Sequence, residues 1–147
     1  MNTILFLCTG NYFRSRFAEE LFNHRVANTR IGWQARSRAL AIERLIGVSD
    51  QMSPFAVSGL AERGFVAKTV ERLPQQCAHE DFATMHHAVA LNEPEHRPLM
   101  LERFPNWADR IEYWQVCDAD VVPTRVALAA IDQQIEALLR RFGSDSR

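Results

Sequence analysis

The first apolar run of the chain, Ile4-Leu5-Phe6-Leu7, shows no alternation and predicts a strand over Thr3–Cys8 buried on both faces. The spacing then changes at once. Phe17, Leu21, Phe22, Arg25 and Val26 fall on one side of a helix running from about Ser15 to Ala27. Trp33–Ser37 is a candidate second strand. Ser53 as N-cap and Pro54 in the first turn open another helix, which stops at Gly64. Ala83–Leu91 reads as a third strand closed by Asn92-Glu93-Pro94, followed by a helix over Pro94–Phe104 that Pro98 interrupts. Ile111–Cys117 gives a fourth strand. Val126, Ala127, Ala130, Ile131, Ile135, Leu138, Leu139 and Phe142 then predict a long amphipathic closing helix, ended by Gly143.

Strand and helix thus alternate along the chain, which calls for an α/β fold with a parallel sheet covered by helices on both faces. No repeat, low-complexity tract or linker divides the 147 residues, so a single domain over 1–147 is expected. Ligands in such folds bind at the carboxyl ends of the strands. Cys8 ends the first strand, and Asn92 and Asp118 follow the third and fourth.

Charge and composition remove several classes of function. A net charge of −1 gives no push toward nucleic acid or acidic membranes. The N-terminal apolar run is too short to cross a bilayer and lacks a basic lead-in, so a cytoplasmic protein is expected. Cys8, Cys77 and Cys117 form an odd set without a CxxC pair, which suits free thiols in a reducing compartment. Cys77, His79, His86, His87 and His96 have no compact metal-site spacing, and His86 and His87 point to opposite faces of the predicted strand. No metal or cofactor is expected. Oligomeric state is not readable from the sequence.

The candidate chemistry lies between the first strand and the first helix. Thr9-Gly10-Asn11-Tyr12-Phe13 separates Cys8 from Arg14, and Ser15 follows. A phosphoryl group needs a nucleophile below it and donors around its oxygens. A tight strand-to-helix loop supplies converging backbone N–H groups and the positive end of a helix. Gly10 and Asn11 suit such a turn because both tolerate left-handed backbone angles. Arg14 can hold two phosphate oxygens with its planar fork. The same positive surroundings favour a Cys8 thiolate, and Ser15 can donate a hydrogen bond to the sulfur. A Cys and an Arg at this spacing occur readily by chance; the buried strand before, Gly-Asn inside and the helix after give the pattern its weight. The GxxxxGK[ST] pattern of nucleotide-binding loops is missing. A small cysteine-based phosphatase is the reading these residues favour.

Cys8-Thr9-Gly10-Asn11-Tyr12-Phe13-Arg14-Ser15, at the extreme N-terminus, resembles the signature loop of the low-molecular-weight protein tyrosine phosphatase family. Size and strand–helix order are similar over nearly the whole chain. The resemblance implies a four-stranded parallel sheet in three layers and metal-free two-step hydrolysis through a phosphocysteine. It implies Cys8 as nucleophile, Arg14 as phosphate clamp, Asn11 as brace of the loop and Ser15 as thiolate partner. Thr9, Gly10, Tyr12 and Phe13 complete the substrate-binding loop, with Tyr12 as an apolar wall and Phe13 as core filler. The expected substrate is a phosphorylated protein, above all phosphotyrosine, or a small phosphomonoester.

The chain departs from the family pattern at several points. Phe13 stands where a second cysteine is common, which removes the nearest partner for a protective disulfide at Cys8. Arg16 replaces the usual proline, either as a basic residue near the mouth or as a solvated helix residue. The family's general acid is an aspartate after the last strand, usually followed by proline. Asp118 takes that place, but Ala119 follows it and Asp120 competes for the role. Val121-Val122 replace the frequent tyrosines, so preference for phosphotyrosine is inherited from the family rather than read from this loop. Arg36, Arg38, Arg44 and Arg72 read as solvated surface charge. Two rivals stay open: a non-catalytic phosphate-binding adaptor, and arsenate reduction, for which Cys77 and Cys117 lack the close pairing of a thiol relay.

Overall fold

The computed structural model describes residues 1–45 and 51–145, with the side chains of residues 144–145 left aside. Strand β1 (Asn2–Cys8) lies at the centre of a four-stranded parallel sheet with β2 (Trp33–Ala39), β3 (His87–Ala90) and β4 (Glu112–Tyr113), in the order β2-β1-β3-β4. The unalternating run in β1 has a direct cause. Ile4 and Phe6 point into one core, Leu5 and Leu7 into another, so every residue is buried.

The first core lies beneath helices α1 (Arg14–Val26), α2 (Pro54–Glu62) and α5 (Thr124–Asp145). The second lies beneath α3 (His79–Thr84) and α4 (Glu93–Arg103). This is the three-layer arrangement that the alternation of periods predicts.

The structure differs from the sequence reading in detail. The stretch read as a strand from Ala83 begins inside α3, a short helix whose first turn is held by the Ala78 N–H donating to Asp81 at 2.8 Å. Six residues are too few to display a helical period. The fourth strand shrinks to Glu112–Tyr113, although the Trp114 and Val116 N–H groups still donate to the carbonyls of Ala90 and Leu91. Pro98 sits inside α4 without ending it, and α5 runs past Gly143 to Asp145. No helix among the described residues is long and apolar enough to cross a membrane.

The strand order positions the site. Because β3 returns beside β1, on the side away from β2, the loop after β1 faces the first turn of α4.

Candidate active site

Residues 9–13 leave the end of β1 and close directly onto α1. The carbonyls of Cys8, Thr9, Tyr12 and Phe13 accept from the N–H groups of Leu40, Ala41, Ser53 and Phe17 at 2.8–3.0 Å. These bonds anchor the two ends of the loop to the segment after β2, the start of α2 and the first turn of α1. Helix α1 has no side-chain cap and no acidic residue in its first turn, so its leading N–H groups stay open to an anion.

Asn11 braces the loop from behind. It is fully buried with φ of 55°, the left-handed region that asparagine tolerates. Its Nδ2 donates to Oγ of Ser15 and of Ser37, both at 2.9 Å, and its Oδ1 accepts from the Gln75 N–H at 3.0 Å. Gly10 does not adopt the left-handed angle expected of it. A Cβ there would stand 2.8 Å from Cδ1 of Leu45, so a larger residue would require that side chain to shift.

The sulfur of Cys8 lies 2.9 Å from Oγ of Ser15. With Asn11 donating into that oxygen, the Ser15 hydroxyl proton is free to turn toward a thiolate. Cys8, Thr9, Gly10, Tyr12, Phe13, Arg14 and Asp118 line one cleft with Leu45. Asn11 and Ser15 stand behind this wall, and Phe13 is also packed into the core beneath α1. Asp118 places Oδ2 3.6 Å from Nη2 of Arg14, whereas Asp120 is exposed and does not line the cleft.

Two residues beside the loop carry no motif. Glu95 accepts from both terminal nitrogens of Arg14, at 3.1 and 2.7 Å, and from the Thr9 hydroxyl. His96 Nδ1 accepts from the Asn92 N–H at 3.0 Å, which leaves the proton of the neutral ring on Nε2, 3.1 Å from Oε2 of Glu95. Burial would raise the Glu95 carboxyl, but hydrogen bonds from His96, Arg14 and Thr9 and the charge of Arg14 hold it well below the usual carboxylate range. Burial, with the charge of Arg14 beside it, lowers His96 and keeps it neutral. Burial also opposes the charge on Arg14, yet the Glu95 hydrogen bond and the charges of Cys8, Glu95 and Asp118 hold its pKa above the ordinary value. The available signal was positional: Glu95 lies three residues beyond Asn92, which caps α4 at the end of β3.

Arg16 fits neither sequence reading. It is fully buried, and its Nη2 donates to the carbonyl of Thr69 at 2.5 Å, because the first turn of α1 packs under residues 68–69. Arg72 is likewise no solvated charge. It grips Glu19, whose Oε1 receives the Ser37 hydroxyl, and so joins the network behind Asn11. Arg38 pairs with Asp81 at 3.3 Å and Arg36 donates to Thr84, while Arg44 is exposed as expected.

The model of the low molecular weight phosphotyrosine protein phosphatases matches residues 3–142. The chain belongs to that family. As a member it is a phosphatase that works without a metal, and its substrates are phosphorylated. No curated protein matches the sequence. Among solved structures, YfkJ from Bacillus subtilis superposes with a TM-score of 0.83 at 18% identity, over 100% of this chain and 98% of that one. A low molecular weight phosphotyrosine phosphatase from Vibrio cholerae O395 gives 0.81 at 18% identity, over 99% of each chain. The YwlE arginine phosphatase from Geobacillus stearothermophilus gives 0.73 at 23% identity, over 99% of this chain and 95% of that one. At these identities the likeness is one of fold.

Proposed function

We propose that this phosphatase hydrolyses phosphomonoesters through a phosphocysteine formed on Cys8, with protein phosphotyrosine as its substrate class. The observation that carries the reading is the loop itself. It is anchored at both ends by backbone hydrogen bonds, and Cys8, Arg14 and Asp118 border the same cleft. The Cys8 thiolate attacks phosphorus as the bond to the leaving oxygen breaks, and Asp118 gives that oxygen its proton. Asp118, now a carboxylate, takes a proton from water. The hydroxide equivalent attacks phosphorus, the S–P bond breaks, and inorganic phosphate leaves with the thiolate restored. Backbone N–H groups and Arg14 hold the equatorial oxygens in both steps.

Support for an aryl ester comes from the walls. Cys8 is only 3% exposed at the base of a cleft flanked by Tyr12, Phe13 and Leu45. Apolar walls beside a deep nucleophile suit a flat ring better than the short, polar arm of phosphoserine. Arsenate reduction gains no support, because Cys77 is buried and its thiol is pushed up to about 12 by burial and the charge of Asp81.

The test is turnover of p-nitrophenyl phosphate and of peptides carrying phosphotyrosine, phosphoserine or phosphoarginine. The expected result is preference for phosphotyrosine, loss of all turnover in Cys8→Ser, and a phosphocysteine trapped by acid quench. Phosphate binding without turnover would overturn the reading. A preference for phosphoarginine would replace the substrate class.

A further inference from the structure

We propose that Glu95 is a positioning residue for Arg14, fixing the guanidinium so that its Nε edge faces the oxyanion. The proposal rests on the phosphocysteine reading of the same site and deepens it.

The argument is a count of donors. A guanidinium carries five N–H groups in one plane. Glu95 takes one from Nη1 and one from Nη2, and the Val116 carbonyl takes the second Nη1 proton at 3.0 Å. The far end and one side edge of the guanidinium are therefore committed. The Nε–H and the remaining Nη2–H form the other side edge of the fork, which is the bidentate face for two phosphate oxygens. Asp118 lies 3.6 Å from Nη2, so the guanidinium also adjoins the proposed acid.

Glu95 is itself held on every side. The Thr9 hydroxyl and His96 Nε2 reach Oε2, the Asn92 N–H fixes the His96 ring, and the Asn92 side chain accepts from the Glu95 N–H at 3.1 Å. The first turn of α4 thus grips the arginine, and Thr9 ties that grip to the residue beside the nucleophile. Glu95 approaches from α4 and does not line the cleft with Cys8, so it leaves the anion's place open.

The charge of Glu95 taken alone opposes its presence. A carboxylate beside an anion cradle weakens oxyanion capture. Its benefit is orientation, since a misplacement of about 1 Å at such a group costs about a hundredfold in rate. The two effects have opposite signs, which makes the proposal testable.

The experiment compares wild type, Glu95→Ala and Glu95→Gln in kinetics with p-nitrophenyl and phenyl phosphate. Vanadate affinity is measured in parallel by calorimetry. Positioning predicts that Glu95→Ala lowers kcat/KM roughly 10- to 100-fold, by the same factor for both leaving groups. It also predicts weaker vanadate binding, with Glu95→Gln intermediate because one acceptor oxygen remains. In an Arg14→Lys background, which lacks the fork, Glu95→Ala should cost less than about twofold. Wild-type kinetics in Glu95→Ala would overturn the proposal, as would tighter vanadate binding, or an equal loss in the Arg14→Lys background. A loss confined to phenyl phosphate would instead make Glu95 a proton donor and also overturn it. Vanadate binding needs no turnover, so absence of hydrolysis in wild type would sink the phosphocysteine reading while the positioning role is still decided.

Discussion

Nδ2 of Asn11 stands 2.9 Å from Oγ of Ser37, tying the centre of the loop after β1 to the strand beside it. The same nitrogen reaches Ser15, so one buried amide sets both the shape of the loop and the partner of the sulfur. Asn11→Ala would place alanine at φ 55° and leave Ser37 and the Gln75 N–H without this partner. Urea unfolding should register a loss of about 2–4 kcal/mol, from left-handed strain plus unpaired buried groups. Asn11→Gly keeps the backbone angle at no steric cost and should lose less. Equal losses in the two variants would show that strain plays no part.

Asp118 and Asp120 are separated by one residue but not by one environment. Only Asp118 borders the cleft with Cys8 and Arg14. Asp118→Ala should lower kcat about 10²- to 10³-fold, more for phenyl phosphate than for p-nitrophenyl phosphate, whose leaving group needs little protonation. Asp120→Ala should stay within about twofold of wild type. Full activity in Asp118→Ala with a dead Asp120→Ala would reverse the assignment.

Cys77 is buried, and its thiol is pushed up to about 12, first by burial and then by the charge of Asp81. At pH 8 it stays protonated in the folded protein. Iodoacetamide should therefore spare Cys77 under native conditions and modify it in urea, as read by peptide mass spectrometry. Cys8, which lines the cleft, should be modified in the native state and shielded by inorganic phosphate. Rapid native alkylation of Cys77 would contradict its burial.

Glu112 carries an acid-dependent share of stability. A hydrogen bond from His87 chiefly, with others from Trp114 and Arg141, outweighs burial and lowers its carboxyl to about 2. The folded state then binds fewer protons than the unfolded one between about pH 4.3 and that value, so stability falls as pH falls through this window. The stability gap between wild type and Glu112→Gln should be full near pH 6 and shrink toward pH 2.5. A gap that does not change with pH would remove the ion from the explanation.

The sequence by itself determined whatever is encoded by neighbours along the chain. The unbroken apolar run of β1, the 3.6-residue periods of α1 and α5, and the Ser53-Pro54 start of α2 are local patterns and appear where they were read. The loop between β1 and α1 was legible for the same reason, since Cys8 to Ser15 are contiguous and a strand passes directly into a helix there. Periodicity carries no information about which strands become neighbours. Only the order β2-β1-β3-β4 brings α4 to the loop and sets Glu95 on an arginine 81 positions away. Only packing buried Arg16 and drew Arg72 into the network behind Asn11, because a charged side chain looks the same in sequence whether water or a carboxylate satisfies it. The chain's local chemistry wrote the contiguous loop from Cys8 to Ser15; the meeting of distant elements at the carboxyl ends of the two inner strands set Glu95 and Asp118 against its arginine.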